Sequence, residues 1–220
     1  MNIIFVRHGH PDYKNDCLTE LGHLQAKAAA ERLKNEKLDE IFSSSCGRAY
    51  ETACHIAKSH NMSVTKLDFM REIKWTSHPW TLVREWVSDG KDILNPDWAN
   101  DETLKNDAVV QCYNTVSQSF DKWLEGFGLV REGEYYRITE ATDKTVMLVS
   151  HGGSSTVAIA HLFNLPFSFV CRAIMPDFTA VTTVSFKGEV GHLIAPTFII
   201  ANDSRHIDGI TIENADKTNP

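Results

Sequence analysis

The sequence has no apolar run long enough to cross a bilayer, and it lacks the basic leader and long apolar stretch of a secretory signal peptide. It also lacks an excess of positive charge. With 29 acidic and 22 basic residues, its net charge is -7, which argues against nucleic acid or a membrane surface as a partner. Any anion-binding site must therefore be a local positive pocket in an acidic molecule.

The sequence also lacks the cysteine motifs of disulfide-bonded or zinc-binding proteins. Its five cysteines are odd in number and scattered, and no two form a CxxC motif. This pattern argues against a disulfide framework and against a zinc site, and it favours reduced thiols. We therefore expect a cytoplasmic protein.

What the chain does contain is typical of a globular α/β domain. Hydrophobic residues make up 42% and charged residues 23% of 220 residues, enough to bury a full core in one domain over 1–220. Alternating strand and helix patterns favour a mostly parallel sheet with helices on both faces, a three-layer sandwich. The predicted strands cover residues 2–6, 39–43, 64–67 and about 144–150, and the predicted helices cover 17–37, 47–61 and 154–164.

Two further segments depart from this alternation. Residues 71–142 are rich in tryptophan and acidic residues, and only 107–124 has a firm helical pattern. We interpret 71–142 as an inserted cap over the carboxyl edge of the sheet. Residues 179–203 are predicted to form two strands joined by a hairpin turn at 187–189.

The first predicted strand ends in an unusual group of polar residues. Arg7 and His8 follow an apolar, β-branched run, and His10 stands two residues further on. Two chemical interpretations are open at this point. Either His8 is a nucleophile and Arg7 binds an anion, or His8 and His10 are ligands of a metal ion, as in amidohydrolase-type barrels.

A second strand ends in the same way, and a third is followed by an arginine. His151 and Gly152 follow the strand at 144–150, as His8 and Gly9 follow the first strand. Ligands in open α/β sheets bind outside the carboxyl ends of strands, so the two histidines are expected to meet there. Arg48 opens a helix, where the helix dipole and a bidentate guanidinium both favour phosphate.

Together these segments resemble the histidine phosphatase superfamily, also called the phosphoglycerate mutase-like family. The resemblance covers about residues 1–70 and 143–202. Its motifs are Arg7-His8-Gly9, Leu18-Thr19-Glu20-Leu21-Gly22, Ser43-Ser44-x-x-Gly47-Arg48-Ala49-x-x-Thr52-Ala53 and Ser150-His151-Gly152-Gly153.

The resemblance implies roles for individual residues. His8 is the expected nucleophile, and Arg7, Arg48 and His151 are expected to bind the phosphoryl group. It implies no metal or other cofactor. A neutral imidazole is a competent nucleophile near neutral pH, and its second nitrogen is expected to donate to a backbone carbonyl.

Family members place an acidic proton donor after the third strand, where this sequence has Glu72. Its surroundings depart from the usual family pattern, because the segment from Trp75 to Trp80 replaces a Trp-Glu-Gly-like run. Asp68 and Glu85 therefore remain alternative donors.

We expect a metal-independent phosphomonoester hydrolase acting on a small phosphorylated metabolite. Three other functions stay open: phosphoglycerate mutase-type transfer, a metal-dependent amidohydrolase using His8 and His10, and a module that binds phosphorylated ligands without catalysis. The sequence does not indicate the oligomeric state.

Overall fold

The computed structural model describes residues 1–74 and 79–211, with the side chains of 79–82 left undescribed. The strands are β1 (Asn2–Arg7), β2 (Pro11–Asp12), β3 (Cys17–Leu18), β4 (Glu40–Ser44), β5 (Val64–Leu67), β6 (Leu129–Glu132), β7 (Tyr135–Ile138), β8 (Thr145–Ser150), β9 (Val181–Ser185), β10 (Leu193–Ile194) and β11 (Thr197–Asp203). The helices are α1 (Glu20–Leu33), α2 (Gly47–His60), α3 (Pro79–Ser88), α4 (Ala108–Glu125), α5 (Gly152–Phe163) and α6 (Phe167–Ala173).

The main sheet is mostly parallel, as the sequence predicts. Its strand order is β11-β9-β1-β8-β4-β5. Strands β1, β8, β4 and β5 run parallel to one another. Strand β9 pairs antiparallel with β1 on one side and with β11 on the other. The register pairs Arg7 with Ser150, so the ends of β1 and β8 lie side by side.

Helices cover both faces of this sheet, which confirms the three-layer architecture. Alternate residues of β1 point to opposite faces because successive side chains of a strand alternate. Ile3 and Phe5 are buried in one apolar cluster with residues of α4 and α5. Ile4 and Val6 are buried in the other, with residues of α1 and α2.

Part of the segment interpreted as a cap belongs to the main helical layer. The firm helix predicted at 107–124 is α4, and the ring of its residue Phe120 stacks against Phe5 of the central strand with 6.0 Å between centroids. The segment also contains α3 and the β6–β7 hairpin. The limits of a cap within 71–142 remain a prediction.

The prediction of a tight hairpin turn at 187–189 is wrong. Strands β9 and β11 do pair antiparallel, but residues 186–196 separate them. Within this connection β10 pairs with β7, which extends the small sheet β10-β7-β6. Gly188 packs so closely on Ile194 that a Cβ there would lie 2.6 Å from its side chain, so the connection folds back on itself instead of turning tightly.

No helix within 1–74 and 79–211 combines the length and the apolar content that a membrane span requires.

Candidate active site

The carboxyl ends of two neighbouring strands bring His8 and His151 together. β1 ends just before His8, β8 ends just before His151, and the His8 N–H donates to the Ser150 carbonyl over 2.9 Å. Both imidazoles are fully buried, and their ring centroids lie 5.1 Å apart. The sequence prediction that these histidines meet is therefore confirmed.

The surroundings of His8 determine which ring nitrogen can react. Nδ1 lies 2.7 Å from the carbonyl oxygen of Gly9, and because a carbonyl only accepts, Nδ1 carries the proton. Nε2 then carries the lone pair and accepts the Nε–H of Arg48 over 3.4 Å. Burial lowers the pKa of His8 to about 3, so the ring is neutral at physiological pH.

Arg48 reaches the site from the first turn of α2 and is 7% exposed. Its guanidinium forms an ion pair with Asp16, a residue that the sequence analysis missed. The other carboxylate oxygen of Asp16 accepts the N–H of Gly47 over 2.8 Å. An aspartate in a polar loop carries no sequence signal that distinguishes it from a solvated one, which is why this contact was not predicted.

Arg7 is held by a segment that the sequence analysis did not connect with the site. Its Nη1 donates to the carbonyl of Pro176 over 2.8 Å, and its Cζ lies 4.3 Å from the centroid of the Phe178 ring. Burial lowers the pKa of Arg7, an effect that the nearby Tyr13, Glu72 and Asp177 partly offset. The guanidinium is thus fixed in place at the same edge of the sheet as His8, since Phe178 contacts both residues.

His151 is oriented by Ser44, which ends β4. Its Nε2 lies 2.8 Å from Oγ of Ser44, and burial lowers its pKa well below the usual range. Its Nδ1 and the Nε of Arg7 are buried polar atoms without a hydrogen-bond partner in the described part of the chain. Such atoms are costly unless a ligand supplies the missing partner. An anion that accepts hydrogen bonds would supply such partners, and we call the group of Arg7, His8, Arg48 and His151 the anion pocket.

Glu72 is the acidic residue that the fold brings to the histidines. Its Oε1 accepts the N–H of Gly153, at the start of α5, and that of Ile73, both over 3.1 Å. Burial raises its pKa, which favours the protonated form. The alternative donors Asp68 and Glu85 are both exposed. Neither belongs to the group that Glu72 forms with the histidines.

The donor atoms of His8, Glu72 and His151 lie within 4.8 Å of one another, a spacing that a metal ion could use. Two guanidinium groups beside them make this a poor environment for a cation. Among the described residues, His10 is not part of this group, and its Nδ1 instead lies 2.9 Å from Oγ1 of Thr19. The open sheet also excludes an eight-fold barrel, so the amidohydrolase interpretation is wrong.

The segment 75–78, where the sequence departs from the family pattern, lies outside the described residues. The side chain of Trp80 lies outside them too.

Comparisons with known proteins identify a family model and relatives that match this chain. The profile of the histidine phosphatase superfamily (branch 1) matches residues 3–196. Phosphoserine phosphatase 1 of Hydrogenobacter thermophilus is 35% identical over 94 aligned positions, which cover 39% of this chain and 44% of that one. The match thus spans less than half the length of this relative.

Solved structures share the fold over nearly the whole chain. Phosphoserine phosphatase of Entamoeba histolytica, in complex with 3-phosphoglyceric acid, superimposes with a TM-score of 0.66 at 21% identity, covering 94% of this chain and 98% of that one. A mycobacterial glucosyl-3-phosphoglycerate phosphatase gives a TM-score of 0.64 at 24% identity, covering 91% and 98%.

Proposed function

Because the chain belongs to the histidine phosphatase superfamily, we propose that it is a phosphomonoester hydrolase that needs no metal and works through a phosphohistidine on His8. One observation carries this proposal. The buried, neutral His8 carries its lone pair on Nε2, beside Arg48, in a group with Arg7 and His151 where two buried polar atoms have no hydrogen-bond partner within the described residues.

In the first step, Nε2 of His8 attacks the phosphorus atom of the ester. The new P–N bond forms as the bond from phosphorus to the leaving oxygen breaks, and the electron pair of that bond goes to the oxygen. Glu72, whose protonated form burial favours by raising its pKa, gives its proton to that oxygen. The guanidinium groups of Arg7 and Arg48 stabilise the negative charge on the transferring group.

In the second step, a water molecule attacks the phosphohistidine. The Glu72 carboxylate takes a proton from this water as the P–O bond forms and the P–N bond breaks. Inorganic phosphate leaves, and Nε2 of His8 regains its lone pair. One nucleophile thus divides a difficult displacement into two easier ones.

The substrate of this proposal is a small phosphorylated molecule. The proteins that share this fold include a phosphoserine phosphatase, which supports a small phosphate ester as the substrate. The alcohol part of the ester is not specified by this similarity. Phosphoglycerate mutase-type transfer is the alternative outcome, because the same histidine could return its phosphoryl group to a second alcohol.

The test is hydrolysis of para-nitrophenyl phosphate with a chelator present. We expect phosphate release by the unmodified protein and a loss of several orders of magnitude in His8→Ala. The matched control is His192→Ala, since His192 is exposed on the far connection 186–196. Loss of activity on chelation would overturn the metal-free chemistry, and near-normal turnover by His8→Ala would overturn the nucleophile.

A mutase assay and a binding assay complete this test. Transfer from a phosphorylated sugar acid to a second acid without phosphate release would indicate a mutase. Phosphate-ester binding without release or transfer would indicate a binding module.

A further inference from the structure

Two aromatic side chains border the anion pocket through its arginines. The Tyr13 ring centroid lies 5.4 Å from Cζ of Arg48, and the Phe178 ring centroid lies 4.3 Å from Cζ of Arg7. Phe178 also contacts the imidazole of His8, with 5.9 Å between centroids. A phosphoryl group held by both arginines therefore lies one side chain away from two aromatic rings.

Phe178 belongs to a loop that the surrounding structure holds in place. The next residue, Thr179, is fully buried with a φ of 53°, an outlier for a β-branched residue. Its Oγ1 lies 3.0 Å from Nε2 of His206. The side chain of Asn202 accepts the N–H of Asp177 and donates to the carbonyl of Met175, each over 2.9 Å. A strained backbone of this kind persists only where the surrounding contacts hold it in place. Here those contacts hold the loop so that the Phe178 ring stays beside His8.

Tyr13 lies in the loop between β2 and β3, and 68% of its surface is exposed. The carboxylate of Asp12 accepts the N–H groups of Lys14 and Asn15, so the loop is internally bonded. Asp16 connects the same loop to Arg48. The ring thus lies beside Arg48 with most of its surface exposed to a ligand, and we call this edge of the anion pocket its mouth.

We propose that Tyr13 and Phe178 make this site select phosphomonoesters whose leaving group carries a planar aromatic ring. The inference rests on the phosphatase proposed above and specifies its substrate class. Aromatic rings gain free energy from contact with each other beyond the burial of their area. The phosphoryl pocket itself binds every phosphate ester alike, so the leaving group is discriminated by the side chains at the mouth.

The test compares benzyl phosphate with cyclohexylmethyl phosphate. Both esters release a primary alcohol, and their rings are similar in size, but only the benzyl ring is flat and aromatic. We expect kcat/KM to favour benzyl phosphate by roughly two- to tenfold, the range of a single aromatic contact. If the mouth recognised only apolar surface and not a π-system, kcat/KM would favour cyclohexylmethyl phosphate.

The variants Tyr13→Leu and Phe178→Leu keep apolar volume and remove the aromatic ring. In each, the ratio of the two kcat/KM values is expected to fall toward one. The matched control is Tyr135→Leu, which replaces an exposed tyrosine of the separate small sheet and is expected to keep the ratio of the unmodified protein. Because the readout is a ratio, a general loss of folding or activity does not imitate the effect.

The two proposals fail in different ways. No phosphate release from either ester, or from para-nitrophenyl phosphate, would overturn the phosphatase itself. Release from both esters with a ratio of one or below, or a ratio above one that both leucine variants retain, would overturn the aromatic selection and leave the phosphatase in place.

Discussion

Asp16 forms an ion pair with Nη1 of Arg48, while the Nε–H of the same guanidinium is directed at Nε2 of His8. The second Asp16 oxygen accepts the N–H of Gly47 over 2.8 Å, which attaches the β2–β3 loop to the start of α2. One carboxylate thus positions the arginine that we propose binds phosphate, and it satisfies an amide at a helix N-terminus.

Asp16 should therefore matter although it has no chemical step of its own. We expect Asp16→Ala to lower kcat/KM for para-nitrophenyl phosphate about tenfold, because hydrogen bonds to charged groups contribute about 1.5–3 kcal/mol. Asp16→Asn keeps an acceptor for Gly47 and should lose less. Asp89→Ala, at an exposed site after α3, is the control. Full activity of Asp16→Ala would show that Arg48 needs no such support.

Gly47 provides an independent test of the same contact. A Cβ at this position would lie 2.0 Å from the backbone oxygen of Asp16, so Gly47→Ala must displace the loop or the helix start. We expect a loss of both thermal stability and phosphatase activity. Gly133→Ala is the comparison, since its φ of 62° is strained but a Cβ there would meet nothing within 4 Å. That variant should lose about 1–2 kcal/mol of stability and keep its activity.

The assignment of Glu72 as proton donor makes a leaving-group prediction. Glu72→Gln cannot donate a proton, so kcat/KM for an alkyl phosphate should fall on the order of 10²–10⁴-fold. The fall for para-nitrophenyl phosphate should be much smaller, because its leaving group departs without a proton. Glu85→Gln, on the exposed side of α3, should change neither rate. Equal losses on both esters would show that another group supplies the proton.

The pH dependence should follow from the same residue. Burial raises the pKa of Glu72, and the donor works only while protonated, so kcat/KM for an alkyl phosphate should fall as the pH rises through that pKa. His8, with a pKa of about 3, stays neutral over this range and adds no limb of its own. Dividing kcat/KM for the alkyl phosphate by kcat/KM for para-nitrophenyl phosphate at each pH cancels any pH dependence that both esters share.

This ratio should therefore decline with increasing pH in the unmodified protein and be flat in Glu72→Gln. A ratio that does not change with pH in the unmodified protein would contradict the role of Glu72.

The sequence predicted the central strands and the meeting of His8 with His151 because both depend on local patterns. Apolar β-branched runs that end in His-Gly can be recognised in the amino-acid sequence, and parallel strands place their carboxyl ends together. The predicted helix at 17–37 is α1, and the side chain of Thr19 caps it by accepting the Gly22 N–H.

The remaining parts of the site depend on contacts between distant loops, which local patterns do not carry. Asp16, Pro176 and Phe178 approach the arginines only because the loops after β2 and before β9 fold over the sheet edge. The connection between β9 and β11 was predicted wrongly for a similar reason, since β10 pairs with β7, a strand more than 50 residues earlier in the chain.

The most direct test of the whole account is to trap the covalent intermediate. The protein is mixed with a phosphate ester, quenched in base, in which phosphohistidine survives, and its peptides are analysed by mass spectrometry. We predict one phosphoryl group on the peptide that contains His8, absent from His8→Ala and accumulating in turnover with an activated ester. Phosphate release with no phosphoryl group on His8 at any time, or a phosphoryl group on another residue, would contradict the mechanism.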